Sequence, residues 1–381
     1  MYIKQAFNFK HEFWRYLVGS AFIFIASMIG QVPFTIAVFM KMAKDGMDLT
    51  TIDQASLLGY LEPNLNIFLI LLSFLFGFAG LILIIKTIHG QTIKTVTTAR
   101  KKVDWKRIWF AFFFWGTISS SLIYVDYLMS PENYVYNFEL KRFIVLAIIA
   151  IILVPIQTSL EEYLFRGYLM QGFGVATTEK YFSVGFIVSV ITIPTLIYLN
   201  IVYSISLMYN VSIAFGILVA AIGINKVLLK NGFYQGESFK RISKAIRRNW
   251  VPLFITSSIF GLMHIANPEI EKLGYSLLIY YIGTGFFLGI ITLMDEGMEL
   301  ALGFHAANNL FTALLVTANW TVFQTHSILK DVSEPSLGFI DLALPVFIIF
   351  PLLLFVFSKM YKWTNWKEKL FGVIEIPVKE D

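Results

Sequence analysis

The chain has 381 residues, 57% of them hydrophobic and only 14% charged, with 37 Phe and no Cys. A water-soluble core needs far less apolar material, and charge-free stretches close to the roughly 20 residues that cross a bilayer recur along the chain. Zero Cys excludes disulfides, thiolate metal ligands and lipidated cysteine, and the net charge of +5 falls in loops, where it marks topology and attraction to anionic lipid.

In chain order the charge-free windows are 16–40, 66–85, 108–125, 143–160, 181–225, 249–263, 273–294, 306–325 and 342–358. The fifth is 45 residues long, about twice one span, and divides near Asn200 into two. The expected fold class is therefore all-α, a polytopic transmembrane helical bundle of about ten spans within a range of roughly eight to ten. The runs are continuously apolar without period-2 alternation, which excludes a transmembrane barrel. The first window is too long for a secretory h-region and has no small-residue cleavage pattern, so it reads as a retained helix.

Basic residues in the short loops set orientation. Lys86 to Arg107 carries seven basic residues and one acid, Asp104, and Lys226 to Arg248 carries seven and one, Glu237. Lys41 to Leu65 has two basic residues and four acids. An even number of spans with both termini cytoplasmic satisfies all three loops, in what is expected to be the plasma membrane. Within the second basic loop, Phe239, Ile242 and Ile246 share one helical face. Lys240, Lys244, Arg247 and Arg248 lie largely on the other, with Trp250 following. That pattern fits an interfacial helix or a cytoplasmic continuation of the next span. No groove-reading or base-stacking module is present, so nucleic acid is excluded as a partner. Asp126, Asp295 and Glu296 are expected to be solvated, Gly285 and Gly289 to mark close helix packing, and Trp105, Trp109, Trp363 and Trp366 to lie at the interfaces.

Polar residues inside apolar helices need partners or water. At the end of the 143–160 window, Glu162 and Arg166 stand four apart in the favourable acid-first order, and Glu161 points about 100° away. Of five histidines, His264 and His305 lie inside apolar segments. His264 follows Phe260 by one turn, and His305 shares a helix face with Asn309. EEYLFRG, FGLMH and HAANN thus match EExxxR, FxxxH and HxxxN in that order. On these motifs, residues 143 to 317 resemble the CPBP family of intramembrane endopeptidases, the CAAX-protease and bacteriocin-processing relatives.

The resemblance implies three parts: an N-terminal three-helix membrane extension at 1–142, a catalytic membrane core at 143–317, and a final span with cytoplasmic tail at 318–381. Arg166 and Phe260 stand farther apart than that family leads one to expect, which assigns an inserted hairpin and basic loop to about 181–248. It further implies hydrolysis of peptide bonds in membrane-tethered polypeptides. Glu161 would be the base that activates water, His264 would hold that water, and His305 with Asn309 would donate to the oxyanion. Glu162, Arg166 and Phe260 would support them. No cofactor is favoured. Glu161, His264 and His305 could instead hold a catalytic zinc, but HExxH is absent and Asn309 suits an oxyanion better than zinc. A non-catalytic scaffold or immunity-type protein is a further alternative. A proton-relaying transporter is disfavoured, because internal repeats are absent.

Overall fold

The computed structural model describes residues 2–47, 54–179, 181–188, 192 and 207–377. Its principal helices are α1 Phe13–Asp45, α2 Pro63–Thr87, α3 Trp105–Met129 and α4 Leu140–Glu162. A π-helical stretch, Tyr163–Leu169, leads from α4 into α5, Met170–Ala176. Then follow α6 Leu207–Lys230, α7 Glu237–Ile246, α8 Trp250–Leu262, α9 Leu278–Asp295, α10 Glu299–Leu315, α11 Phe350–Met360 and α12 Trp366–Phe371.

The fold is an all-α polytopic bundle. Among the described residues six helices are long and apolar enough to cross a membrane: Phe13–Asp45, Pro63–Thr87, Trp105–Met129, Leu140–Ala176, Tyr275–Asp295 and Phe339–Met360. Trp250–Ala266 is a shorter apolar helix. The span expected between 181 and about 200 lies largely outside the described residues, and α6 corresponds to the second half of that window. Local chemistry sets several boundaries. Glu62 caps α2 by accepting from Leu65 N, Asp104 caps α3 by accepting from Lys106 N, and Gly46 ends α1 in the left-handed conformation.

Helices that carry the polar residues approach closely where side chains are small. A Cβ on Gly303 would stand 2.0 Å from Ile108 O, so α10 lies directly against α3. Gly285 and Gly289 bring α9 onto α8: a Cβ would meet Ser257 O at 2.6 Å or Leu253 Cδ1 at 2.4 Å. The GxxxG pair is thus a packing surface.

The bundle has two distinct ends. At one, Thr98 bridges Gly297 and Arg248 bridges Val373, while Lys369 donates to Met294 O and Asn249 to Lys369 O, so both basic segments meet there. At the other end, strands β1 Tyr134–Tyr136, β2 Val316–Ala318 and β3 Leu329–Asp331 form a small sheet in the order β1-β3-β2.

Three expectations are corrected. The span placed at 306–325 is the helix Glu299–Leu315, and 316–325 leaves the helix to form β2 and a turn. Thr317 and Thr325 account for the break, because Thr325 donates its hydroxyl to Ala313 O and its N–H to Thr317 Oγ1, giving the backbone an alternative to the helix ladder. Asp295 is not solvated: its side chain is 2% exposed, with Arg100 at 2.7 Å and Arg107 at 2.5 Å. Trp363, expected at an interface, is buried and donates its indole N–H to Asp295 at 2.9 Å.

Candidate active site

The site is built where α4, α8 and α10 converge. Glu161 and Glu162 are adjacent, so their side chains leave α4 about 100° apart. Glu162 is fully buried at 0% exposure beside Arg166 at 1%, and Arg166 Nη1 donates to Glu162 Oε1 at 2.9 Å across one turn. The π-helical segment begins immediately after Glu162. Such widened turns interrupt helices mostly at functional places.

His305, on α10, meets both carboxylates. Its Nδ1 lies 2.7 Å from Glu162 Oε1 and its Nε2 lies 3.5 Å from Glu161 Oε2. Since a carboxylate accepts, the proton of Nδ1 is directed at Glu162, and the Arg166–Glu162 pair thereby sets the orientation of the ring.

His264 lies in the 3-10 turn Met263–Ala266 that closes α8. Its Nδ1 donates to Phe260 O at 2.8 Å, which leaves Nε2 as the acceptor of a neutral ring. The ring stacks on Tyr281 with centroids 4.1 Å apart and an interplanar angle of 17°. Glu161, His305 and Arg166 lie within electrostatic reach of it. Phe260 is the hub: its ring centroid is 5.0 Å from His264 and 6.0 Å from His305, and the Arg166 guanidinium sits 4.0 Å over its face. Asn309 donates to Gln157 Oε1 at 3.1 Å, and Gln157 Nε2 donates to Glu161 Oε1 at 2.5 Å.

All seven residues singled out in the sequence therefore belong to one cluster. Gln157, Tyr281, Trp115 and Asn308 also belong to it. None is charged, and none was singled out in the sequence. Glu162 touches His305 directly in addition to fixing the helix through Arg166. Among the described residues no three His, Asp or Glu side chains are grouped so as to hold a metal ion.

Within the all-α membrane bundle, buried Glu162 and half-buried Glu161 thus face imidazole and amide groups. Residues 140–311 match the model of type II CAAX prenyl endopeptidase Rce1-like proteins, a match consistent with the CPBP family. At family level that supports an intramembrane endopeptidase. The chain is also similar to the uncharacterized protein YyaK of Bacillus subtilis (strain 168), 26% identical over 318 residues, which cover 82% of this chain and 81% of that protein. No solved structure matches.

Proposed function

We propose that the protein is a metal-independent endopeptidase that cleaves membrane-associated polypeptides, with Glu161 as the base. The observation that carries this reading is the setting of Glu161: one oxygen accepts from Gln157, and the other faces an imidazole whose far nitrogen is held by Glu162. Glu161 takes a proton from water as the water attacks the scissile carbonyl. His264 holds that water through Nε2. His305 and Asn309 direct N–H groups at the oxygen of the tetrahedral intermediate, and Glu161 then returns the proton to the leaving amine. Glu162 and Arg166 keep His305 in register and make no contact with substrate. The termini and both basic loops are placed in the cytoplasm, with the site reached from the bilayer.

The test is cleavage of a panel of membrane-tethered peptides by the purified protein in bilayers. Glu161→Gln should abolish turnover, and Asn309→Ala should lower kcat by roughly 10² to 10³ with KM nearly unchanged, the cost of one oxyanion donor. A chelator should leave the rate intact. Stoichiometric zinc, lost with activity and regained with it, would replace this mechanism with the metal-dependent one. Wild-type rates in Glu161→Gln would remove the reading altogether.

A further inference from the structure

Four side chains form a directed file that ends on Glu161. Trp115 Nε1 donates to Asn308 Oδ1 at 3.1 Å, Asn308 Nδ2 to Asn309 Oδ1 at 3.1 Å, Asn309 Nδ2 to Gln157 Oε1 at 3.1 Å, and Gln157 Nε2 to Glu161 Oε1 at 2.5 Å. The file crosses from α3 through α10 to α4. Trp115 and Gln157 are both buried.

Its two ends differ in kind. An indole N–H can only donate, and a carboxylate can only accept. Everything between them is therefore fixed in direction: each amide must present its oxygen toward Trp115 and its NH2 toward Glu161. An isolated Asn or Gln can flip, exchanging donor for acceptor at little cost. Flipping any member of this file would set oxygen against oxygen or NH2 against NH2 in a partly buried place, where an unmade hydrogen bond carries a cost.

We propose that Trp115, Asn308 and Gln157 are positioning residues that lock the Asn309 amide with its NH2 toward the reacting groups and hold the Glu161 carboxylate as an acceptor. The proposal rests on the endopeptidase reading for what the positioning achieves. Asn309 spends one amide hydrogen on Gln157, and the second remains for the developing oxyanion. A flipped Asn309 would present an oxygen to that negative charge. Trp115, which touches no reacting atom, thus sets the polarity of the site from a neighbouring helix.

The experiment is a double-mutant cycle with Trp115→Phe and Gln157→Leu. Trp115→Phe keeps a ring to stack on Phe304, whose centroid is 4.6 Å away, and removes only the donor. It should lower kcat about fivefold, and Gln157→Leu about 50-fold, in line with losing a neutral and a charge-assisted hydrogen bond, with KM little changed in both. The double variant should be no slower than Gln157→Leu alone, because both changes break the same file. Multiplicative losses, or losses confined to KM, would overturn the proposal. Trp115→Phe alone supplies the kcat test if Gln157→Leu does not fold.

A second readout needs no turnover. The 15N–1H resonance of the Trp115 indole should move in Gln157→Leu, three links away, and an unmoved resonance overturns the file whether or not the protein cleaves anything. A moved resonance in a wild-type protein that cleaves no substrate would keep the file and remove the endopeptidase reading instead.

Discussion

Glu162 Oε1 receives two cationic or polar donors, Arg166 at 2.9 Å and His305 at 2.7 Å, while Glu162 Oε2 is buried without a partner among the described residues. One oxygen therefore carries the whole compensation for burying the carboxylate. Arg166→Ala should destabilise the protein by about 3 to 5 kcal/mol, the cost of leaving a buried charge half-paired. Thermal unfolding in detergent reads it, and an unchanged midpoint would show that the pair contributes nothing. The charged members of the site were legible in the sequence because charge in an apolar run demands explanation, and i, i+4 spacing names the partner within one helix. The contact between His305 and Glu162 was not legible, since it depends on α10 lying beside α4. Trp115, Asn308 and Gln157 were silent for a related reason: an uncharged side chain in a membrane helix has many possible partners, and only packing selects among them.

At the scale of elements, the connection between α9 and α10 is the clearest departure from the sequence reading. Asp295 and Glu296 looked like an exposed turn, yet the segment from Lys94 to Arg107 folds over it. Arg100 reaches Asp295 at 2.7 Å and Glu299 at 3.0 Å, and Thr97 O accepts from Met298 N. Counting charges identified this segment as basic but could not show that part of its charge neutralises an internal turn. Arg100→Ala leaves two buried carboxylates short of a partner at the start of the helix that carries His305. It should lower the unfolding midpoint and the turnover together, whereas Lys101→Ala, an exposed neighbour, should change neither. His89 links two other elements, with Nδ1 donating to Lys10 O at 2.7 Å and Nε2 at 3.0 Å from Tyr168 OH. Burial holds its imidazole below the usual range. The unfolded chain then binds the proton more readily, so the stability due to neutral His89 is complete above the unfolded value of about 6.5 and is lost as pH falls through and below it. Between about pH 8 and pH 5.5 the melting midpoint should fall further in wild type than in His89→Gln. Parallel curves would assign the pH dependence to another group.

For the whole molecule, composition and charge-free length were enough to establish a helical membrane bundle. Span edges were less secure, as 306–325 shows, because hydropathy cannot register a threonine that takes a backbone bond away from the helix. The two basic segments lie at the same end of the bundle, joined through Thr98–Gly297, Arg248–Val373 and Lys369–Met294, and the small sheet lies at the other. Basic loops stay on the cytoplasmic side during insertion, which predicts that the sheet faces outside. The chain has no Cys, so single cysteines can report this without removing any native one. Lys101 and Arg241 are exposed in the basic segments, and Ser336 is exposed beyond β3. A membrane-impermeant maleimide added to intact cells should label Ser336→Cys, and should label Lys101→Cys and Arg241→Cys only after permeabilisation. The reverse pattern would invert the protein and put its basic loops outside, against their charge. Labelling of Lys101→Cys and Arg241→Cys from opposite sides would contradict the bundle itself, since the backbone contacts at that end require both segments to share one face of the membrane.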